Sequence, residues 1–263
     1  MKILFIGDIY GSLGRKIIQE ELIKIKEQHA PDIIIANGEN IAHGKGINKK
    51  YYDFLLDQGV HAITLGNHTW DNRSIFEFIE EAKYLVRPAN FPEKNPGKGL
   101  IFIKHKNQEI AVISMQGLTY MNPNQCPFNK IDELIKIAKK RTNIIFIDFH
   151  AEATSEKMAF GYYVDGRVSA VIGTHTHVPT ADEQVLSHGT AYLTDVGMTG
   201  PLDGVIGVDR ENVIKKFIHK MPLRFNALEE GRIQLNAVLI SIDNETGIST
   251  HIERINIKKE ITC

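Results

Sequence analysis

MKILFIGDIYGSLG, residues 1–14, is the stretch on which the fold turns. Its apolar run, Lys2–Ile6, has the length of a buried strand and stops at Gly7. Asp8 then stands at the strand's carboxyl end, followed by a loop carrying Gly11 and Gly14. Beyond it, Gly14–Gln28 places Ile17, Ile18, Leu22 and Ile25 at helical spacing. The unit recurs. Ile33–Ala36 ends in Asn37-Gly38-Glu39-Asn40 before a helix predicted over Tyr51–Gln58. Ala62–Leu65 ends in Gly66-Asn67-His68 before a helix predicted near Ile75–Ala82. Strands that alternate with helices in this way predict an α/β fold with parallel strands.

The middle of the chain changes character. Pro88, Pro92, Pro96, Gly97 and Gly99 mark an irregular stretch, and Leu100–Lys104 and Glu109–Ser114 read as paired strands. Met121–Asn129, with two prolines, reads as an exposed loop. A second series follows: helix Ile131–Lys140, strand Ile144–Asp148 leading to His150, and strand Ser169–Ile172 leading to Gly173-Thr174-His175. At the end, Ile233–Ile242 and Ile248–Ile257 alternate as an antiparallel hairpin around residues 244–247. No repeat, low-complexity tract or long linker divides the chain, so residues 1–263 are expected to form one domain.

Composition narrows the function classes. Thirty-one basic against thirty-two acidic residues leave a net charge of −1, without the broad basic footprint of a general nucleic-acid binder. Cys126 and Cys263 have no partner at metal-site spacing, which disfavours a disulfide framework or a thiolate zinc site. The short start that meets Asp8 at once lacks the parts of a signal peptide. No run approaches the roughly 18 apolar residues of a membrane span. A cytoplasmic enzyme or binding protein is expected.

The chemistry lies at the strand ends. Asp8, Glu39 with Asn40, Asn67 with His68, His150, and His175 with His177 each follow an apolar run. In open α/β sheets ligands bind beyond the carboxyl ends of the strands, so parallel strands would gather these residues at one edge. Singly each has a plainer reading. Asp8 suits a turn or a helix cap, Glu39 a loop, Asn67-His68 a hydrogen-bonded pair, and His150 a core position. In extended backbone His175 and His177 would point the same way, their rings roughly 6–7 Å apart. That spacing could serve two metals about 3.5–4 Å apart, one imidazole to each. Carboxylate, amide and imidazole donors without thiolate favour Mn, Fe or Zn.

Six other histidines (His29, His61, His105, His188, His219 and His251) have no supporting partner and read as structural or solvated. His43 either reaches a substrate phosphate from the loop after Glu39 or sits on a plain surface loop. Trp70 and Asp71 either shape the pocket or pack and cap. Gly197–Gly207, with its glycines and a proline, reads as a flexible pocket wall, without the Lys-Ser/Thr of a P-loop. No Gly-x-Ser-x-Gly nucleophile elbow is present.

In order, GDIYG, NGEN, GNHTWD, DFHAEATSEK and GTHTHVPTAD resemble the motifs of the calcineurin-like metallophosphoesterases, and within them the bacterial YmdB-type cyclic-nucleotide phosphodiesterases. The resemblance runs from Met1 to about Asp209 and arguably into the terminal hairpin. Tyr10 stands where the broad superfamily has the histidine of Asp-x-His, and Gly-Glu-Asn where Gly-Asp is usual; both departures fit the YmdB-like branch. The resemblance implies a four-layer αββα sandwich with a dinuclear site above the strand ends. Asp8, Glu39, Asn40 and His177 would hold one metal. Glu39, Asn67, His150 and His175 would hold the other, with Glu39 bridging, and His68 would donate the proton to the leaving oxygen. It further implies iron or manganese, a homo-oligomer, and hydrolysis of 2′,3′-cyclic and also 3′,5′-cyclic nucleotides by metal-activated hydroxide. A phosphatase of another substrate class, or a regulatory nucleotide-binding protein with little turnover, remains open on the residues alone.

Overall fold

Alternate residues of an extended strand face opposite ways, and the first strand therefore serves two cores at once. In the computed structural model, which describes residues 1–223 and 225–260, strand β1 spans Lys2–Ile6. Leu4 and Ile6 face Ile17, Ile18, Leu22 and Ile25 of helix α1 (Gly11–His29). Ile3 and Phe5 face the other way, and the Phe5 ring lies 4.9 Å from that of Phe146, centroid to centroid. Cys263, considered above, lies outside the described residues.

From β1 the chain continues through β2 (Ile33–Asn37), α2 (Lys49–Asp57), β3 (Ala62–Thr64) and β4 (Leu85–Val86). The antiparallel pair β5 (Leu100–His105) and β6 (Gln108–Gln116) opens the second half. Next come α3 (Pro127–Ala138), β7 (Ile145–His150), α4 (Thr154–Val164) and β8 (Ala170–Thr174). Short strands β9 (Gln184–Val185), β10 (Ala191–Leu193) and β11 (Gly200–Pro201) follow, then α5 (Arg210–His219) and the hairpin β12 (Ile233–Ile242) and β13 (Ser249–Lys259).

These strands form two sheets. The first runs β11-β12-β1-β2-β3-β4, with β13 on β12, and the second runs β5-β6-β7-β8-β10-β9. Strands β1 to β4 are parallel, as are β6, β7, β8 and β10. One core lies between α1, α2 and the first sheet, a second between the two sheets, and a third between the second sheet and α3 and α4. The architecture is a four-layer αββα sandwich. The terminal hairpin is not an appendage, because β12 pairs antiparallel with β1 over Lys2–Ile6.

Several local expectations change. The helix predicted near Ile75–Ala82 is a 3-10 segment, Arg73–Glu77, followed by turns. Its apolar residues Ile75, Phe78, Ile79 and Ala82 do face the first core at the expected spacing, but looser turns suffice to present them. The loop predicted over Met121–Asn129 ends earlier, because Pro127 occupies the first helical turn of α3, where its missing N–H costs nothing. Helix α4 escaped notice because its buried positions are Lys157, Phe160, Gly161 and Val164, a helical spacing disguised by a lysine and a glycine. Gly197–Gly207 is not merely a flexible wall, since Gly200–Pro201 pairs with β12.

Candidate metal centre

The strand ends meet where the two sheets come together. Asp8 follows β1, Glu39 and Asn40 follow β2, Asn67 follows β3, His150 closes β7, and His175 and His177 follow β8. Asp8, Glu39, Asn40 and His150 are all buried, at 0–1% exposure. Nε2 of His150 lies 2.8 Å from Asn67 Oδ1, 3.0 Å from Glu39 Oε1 and 3.1 Å from His175 Nδ1. On the neighbouring side Nε2 of His177 lies 3.2 Å from the Asn40 amide and 4.0 Å from Asp8 Oδ1. Glu39 joins the two groups, because its Oε1 also accepts from the Asn40 amide at 3.2 Å.

The backbone at the end of β8 departs from the extended geometry expected of His175 and His177. Their φ values are +100° and +66°, so both lie outside strand conformation and the simple same-side spacing does not apply. Left-handed backbone at two non-glycine residues costs on the order of 1–3 kcal/mol each and persists only where the surroundings impose it. Asp195 imposes it. Its carboxylate accepts from the Thr176 N–H at 3.1 Å and the Thr176 hydroxyl at 2.8 Å, and from the Gly197 N–H at 2.8 Å. Lys157 of α4 neutralises that carboxylate at 2.6 Å, and both side chains are 1% exposed.

Each imidazole has one nitrogen tied outside the cluster and the other turned into it. Nδ1 of His150 meets Thr174 Oγ1 at 2.8 Å, and that hydroxyl donates to the buried Asp148 at 2.6 Å. Asp148 is further held by Asn37 at 2.9 Å and by the Thr64 hydroxyl. Nε2 of His175 meets Glu152 at 3.2 Å. Nδ1 of His177 meets the Ile206 carbonyl at 2.9 Å. Such outer partners fix the tautomer and aim the remaining lone pair, as around protein-bound metals.

The electrostatics are those of a crowded acceptor site. Burial pushes the Asp8 carboxyl well up against the pull of His150, and the charges of Asp195, Glu39 and Asp148 add to the rise. Burial alone would raise Glu39, but the charge and hydrogen bond of His150 outweigh it and lower it. Burial opposes protonation of His150, yet Glu39 raises it to about 9. His175 is pushed down to about 3 by burial and then by the charge of His150, and His177 is lowered mainly by burial. The lowered carboxyl and the raised imidazole place the proton of this pair on His150, facing Glu39 at 3.0 Å. A cation would displace it, so ligation here is linked to proton release.

Fit to a metal can be judged from the donors themselves. Among the described residues Asp8 Oδ1 is buried without a hydrogen-bond partner, an orphan that a cation would satisfy. Glu39, His150 and His175 offer ligand atoms all within 4.8 Å of one another. Asn40 turns its amide nitrogen toward Glu39 and His177, so ligation through Oδ1 requires the carboxamide to turn over. Gly66 explains how Asn67 and His150 come so close. A Cβ there would lie 2.2 Å from His150 Cδ2, so only glycine lets the chain leaving β3 pass the ring.

The motif order and the fold agree with what the chain is similar to. The model of the YmdB-like protein family matches residues 4–255. The chain belongs to the YmdB-like family. It is 55% identical to a 2′,3′-cyclic-nucleotide 2′-phosphodiesterase of Bacillus subtilis, over 99% of this chain and 98% of that protein. A crystal structure of a novel phosphatase from Mycoplasma pneumoniae superposes with a TM-score of 0.94 at 38% identity, covering 99% of this chain and 94% of that one. A hypothetical protein from Thermus thermophilus superposes with a TM-score of 0.92 at 37% identity, over 98% and 100% of the two chains.

The remaining motif residues of this YmdB-like chain divide clearly. The backbone N–H of His68 donates to Glu39 Oε2 at 3.1 Å, while its Nδ1 lies 2.8 Å from Asp71. Tyr10, standing where the broad superfamily has histidine, is buried with its ring edge-on to His177 at 5.6 Å. It therefore packs a candidate ligand. His43 is exposed, with φ +55°, and lines a separate cleft with residues 225–230. Thr174, Asp148, Glu152, Asp195 and Lys157 were missed in sequence. Asp148 and Glu152 carried a signal, being acidic residues two positions either side of His150. Lys157 and Asp195 carried none.

Proposed function

We propose that the chain is a dinuclear-metal phosphodiesterase that opens 2′,3′-cyclic nucleotides at the 2′ ester, with 3′,5′-cyclic nucleotides as further substrates. The observation that carries the reading is the convergence of three imidazoles, each aimed by an outer partner, on buried Asp8 and Glu39. The activity of the 55%-identical relative supports the reaction class, that of an enzyme hydrolysing a phosphoric diester. In this proposal Asp8, Glu39, Asn40 and His177 hold one divalent ion. Glu39, Asn67, His150 and His175 hold the second, and iron or manganese suits these oxygen and nitrogen donors. When bound, the ions supply Lewis-acid polarisation of the phosphate and a source of hydroxide near neutral pH.

His68 moves the proton. Asp71 occupies its Nδ1 at 2.8 Å, so the transferable proton is the one on Nε2. As water oxygen bonds to phosphorus and the P–O2′ bond breaks, that proton goes to O2′ and leaves a nucleoside 3′-phosphate. Such general-acid help is typically worth about 10²–10⁴-fold. The residues around His150, His175 and His177 orient their rings and exclude water.

The proposal takes residues 1–263 as one cytoplasmic metallophosphoesterase domain acting on small nucleotides, and on neither long nucleic acid nor membrane. Among the described residues no helix is long and apolar enough to cross a membrane. It also takes the protein as a homo-oligomer. Phe217, Ile218 and Met221 are 60–68% exposed in and after α5, an apolar surface of the kind assembly covers.

The test is elemental analysis of purified protein together with turnover of bis-p-nitrophenyl phosphate and a panel of 2′,3′- and 3′,5′-cyclic nucleotides. About two transition-metal ions per chain and metal-dependent hydrolysis are expected. Bound nucleotide without turnover in the metal-replete protein would instead favour a regulatory binding role, and phosphomonoester turnover alone a phosphatase.

A further inference from the structure

The loop leaving β6 carries a tyrosine that its own surroundings do not account for. The Met121 N–H donates to the Leu118 carbonyl at 3.2 Å and closes a four-residue turn with Tyr120 in third place. Tyr120 has φ +62° while Thr119 before it is not in the positive-φ region, which is the pattern of a type II turn. That third position ordinarily takes glycine or asparagine, because a Cβ in left-handed backbone crowds the carbonyl that follows. Burial offers tyrosine nothing in return. It is 89% exposed, more than any other large apolar or aromatic side chain among the described residues, so both faces of its ring are open.

The turn is held in place. Glu156 of α4 accepts from the Leu118 N–H at 2.9 Å and from the Thr119 N–H at 3.1 Å. Fully buried Asn90 donates to the carbonyls of Gln116 at 2.8 Å and Gln125 at 3.0 Å, one on each side of the turn. Half-buried Met121 packs against the third core. Strained residues on a fixed frame cluster at active and binding sites. This frame borders the metal centre at both ends. The Gly117 N–H donates to the carbonyl of His150 at 3.0 Å, and Asn122 and Asn124 share the wall of a small cavity with Asn67. At 3.3–3.6 Å per residue, the Tyr120 Cα lies within about 11 Å of Gly117 and about 7 Å of Asn122.

We propose that Tyr120 is the platform on which the base of the substrate nucleotide stacks. The inference rests on the cyclic-nucleotide reading above and names the residue that grips the substrate away from its phosphate. Other rings at this edge are already engaged. Tyr10 lies edge-on to His177, and Trp70 is stacked on Phe76 at 5.3 Å with Phe91 against it at 6.0 Å. Of these rings Tyr120 alone presents open faces. Every base has a π-face, so such a platform favours a nucleoside over an ester without a base and does not choose one base over another. A ring fixed beforehand also spares the entropy of ordering a loop on binding.

The metal-replete parent, Tyr120→Asn and Tyr120→Phe are compared on 2′,3′-cyclic AMP and on glycerol 1,2-cyclic phosphate, a cyclic diester without a base. Tyr120→Asn should raise KM for 2′,3′-cyclic AMP about five- to tenfold and leave its kcat, and kcat/KM for the glycerol ester, unchanged. Its Tm should not fall, since asparagine tolerates the left-handed turn. Tyr120→Phe keeps the ring and should keep the parental KM. The same KM for cyclic AMP in all three proteins would overturn the platform, and so would equal losses on both esters. A change in subunit association by light scattering with KM unmoved would assign the ring to a contact between copies and overturn it too. Calorimetry with adenosine 3′-phosphate separates this inference from the activity beneath it. Binding about fivefold weaker in Tyr120→Asn, with neither ester hydrolysed by the parent, supports the platform and refutes the activity. Hydrolysis of cyclic AMP with the same constants in parent and Tyr120→Asn does the reverse.

Discussion

Replacing Lys157 by methionine removes the cation from the buried pair with Asp195 while keeping a side chain of similar length. The ammonium and carboxylate are 2.6 Å apart and each side chain is 1% exposed, so water cannot take over for the missing partner. Breaking a buried pair by deleting one member typically costs about 3–5 kcal/mol, because the other charge is left uncompensated. Asp195 keeps three donors, the Thr176 N–H, the Thr176 hydroxyl and the Gly197 N–H, which places the expected loss near the lower end, about 3 kcal/mol. For a chain of this size that is a fall in Tm of roughly 6–12 °C. Because Asp195 holds the turn that carries His175 and His177, metal affinity should weaken together with stability. The assay is thermal and urea unfolding of metal-free protein, followed by metal titration, for Lys157→Met, Asp195→Asn and the double variant. Asp195→Asn in the Lys157→Met background should recover part of the loss, since no lone charge remains. A Lys157→Met protein melting within about 2–4 °C of the parent, a loss of no more than about 1 kcal/mol, would refute the argument.

Other perturbations probe the site and its frame. His68→Ala should keep its metal content by elemental analysis while kcat for a cyclic nucleotide falls about 10²–10⁴-fold; an unchanged kcat would remove His68 from the proton transfer. Gly66→Ala deletes no ligand, but its Cβ would press on His150 at 2.2 Å, so bound metal should drop sharply, and full occupancy would contradict the close approach. Asp165 offers a pH test away from the centre. Burial pushes its carboxyl up, but the side chain and N–H of His188 and the Thr190 N–H pull it further down, so it is lowered on balance. A lowered folded-state value means that its contribution is full well above the unfolded value of about 3.9 and is lost as pH falls through the folded value. Asp165→Asn should therefore cost roughly 1.5–3 kcal/mol in urea unfolding at pH 7, and the gap from the parent should narrow below about pH 4. A gap independent of pH would assign the effect to packing.

Much of the frame was legible because strand ends announce themselves. Asp8, Glu39 and Asn67 each follow a short apolar run at a glycine, and parallel pairing of β1, β2 and β3 sets their positions side by side. His150 was legible for the same reason in the second sheet. Residues without local meaning were not. Lys157 reads as a solvated helix residue until Asp195, 38 positions later, lies against it. The pairing of β12 with β1, which sets Lys2 against Ser241, leaves no trace in either segment.

Periodicity and chain punctuation are local properties, so residue order alone specified the alternating elements, the apolar faces and the polar residues at strand ends. Which nitrogen of each imidazole turns inward, why His175 and His177 leave extended conformation, and what shares a wall with Asn67 depend on contacts between distant segments. Those contacts exist only once two sheets have packed face to face, because burial, and the charge and hydrogen-bond pairing it demands, is a property of the assembled layers and not of any stretch of chain.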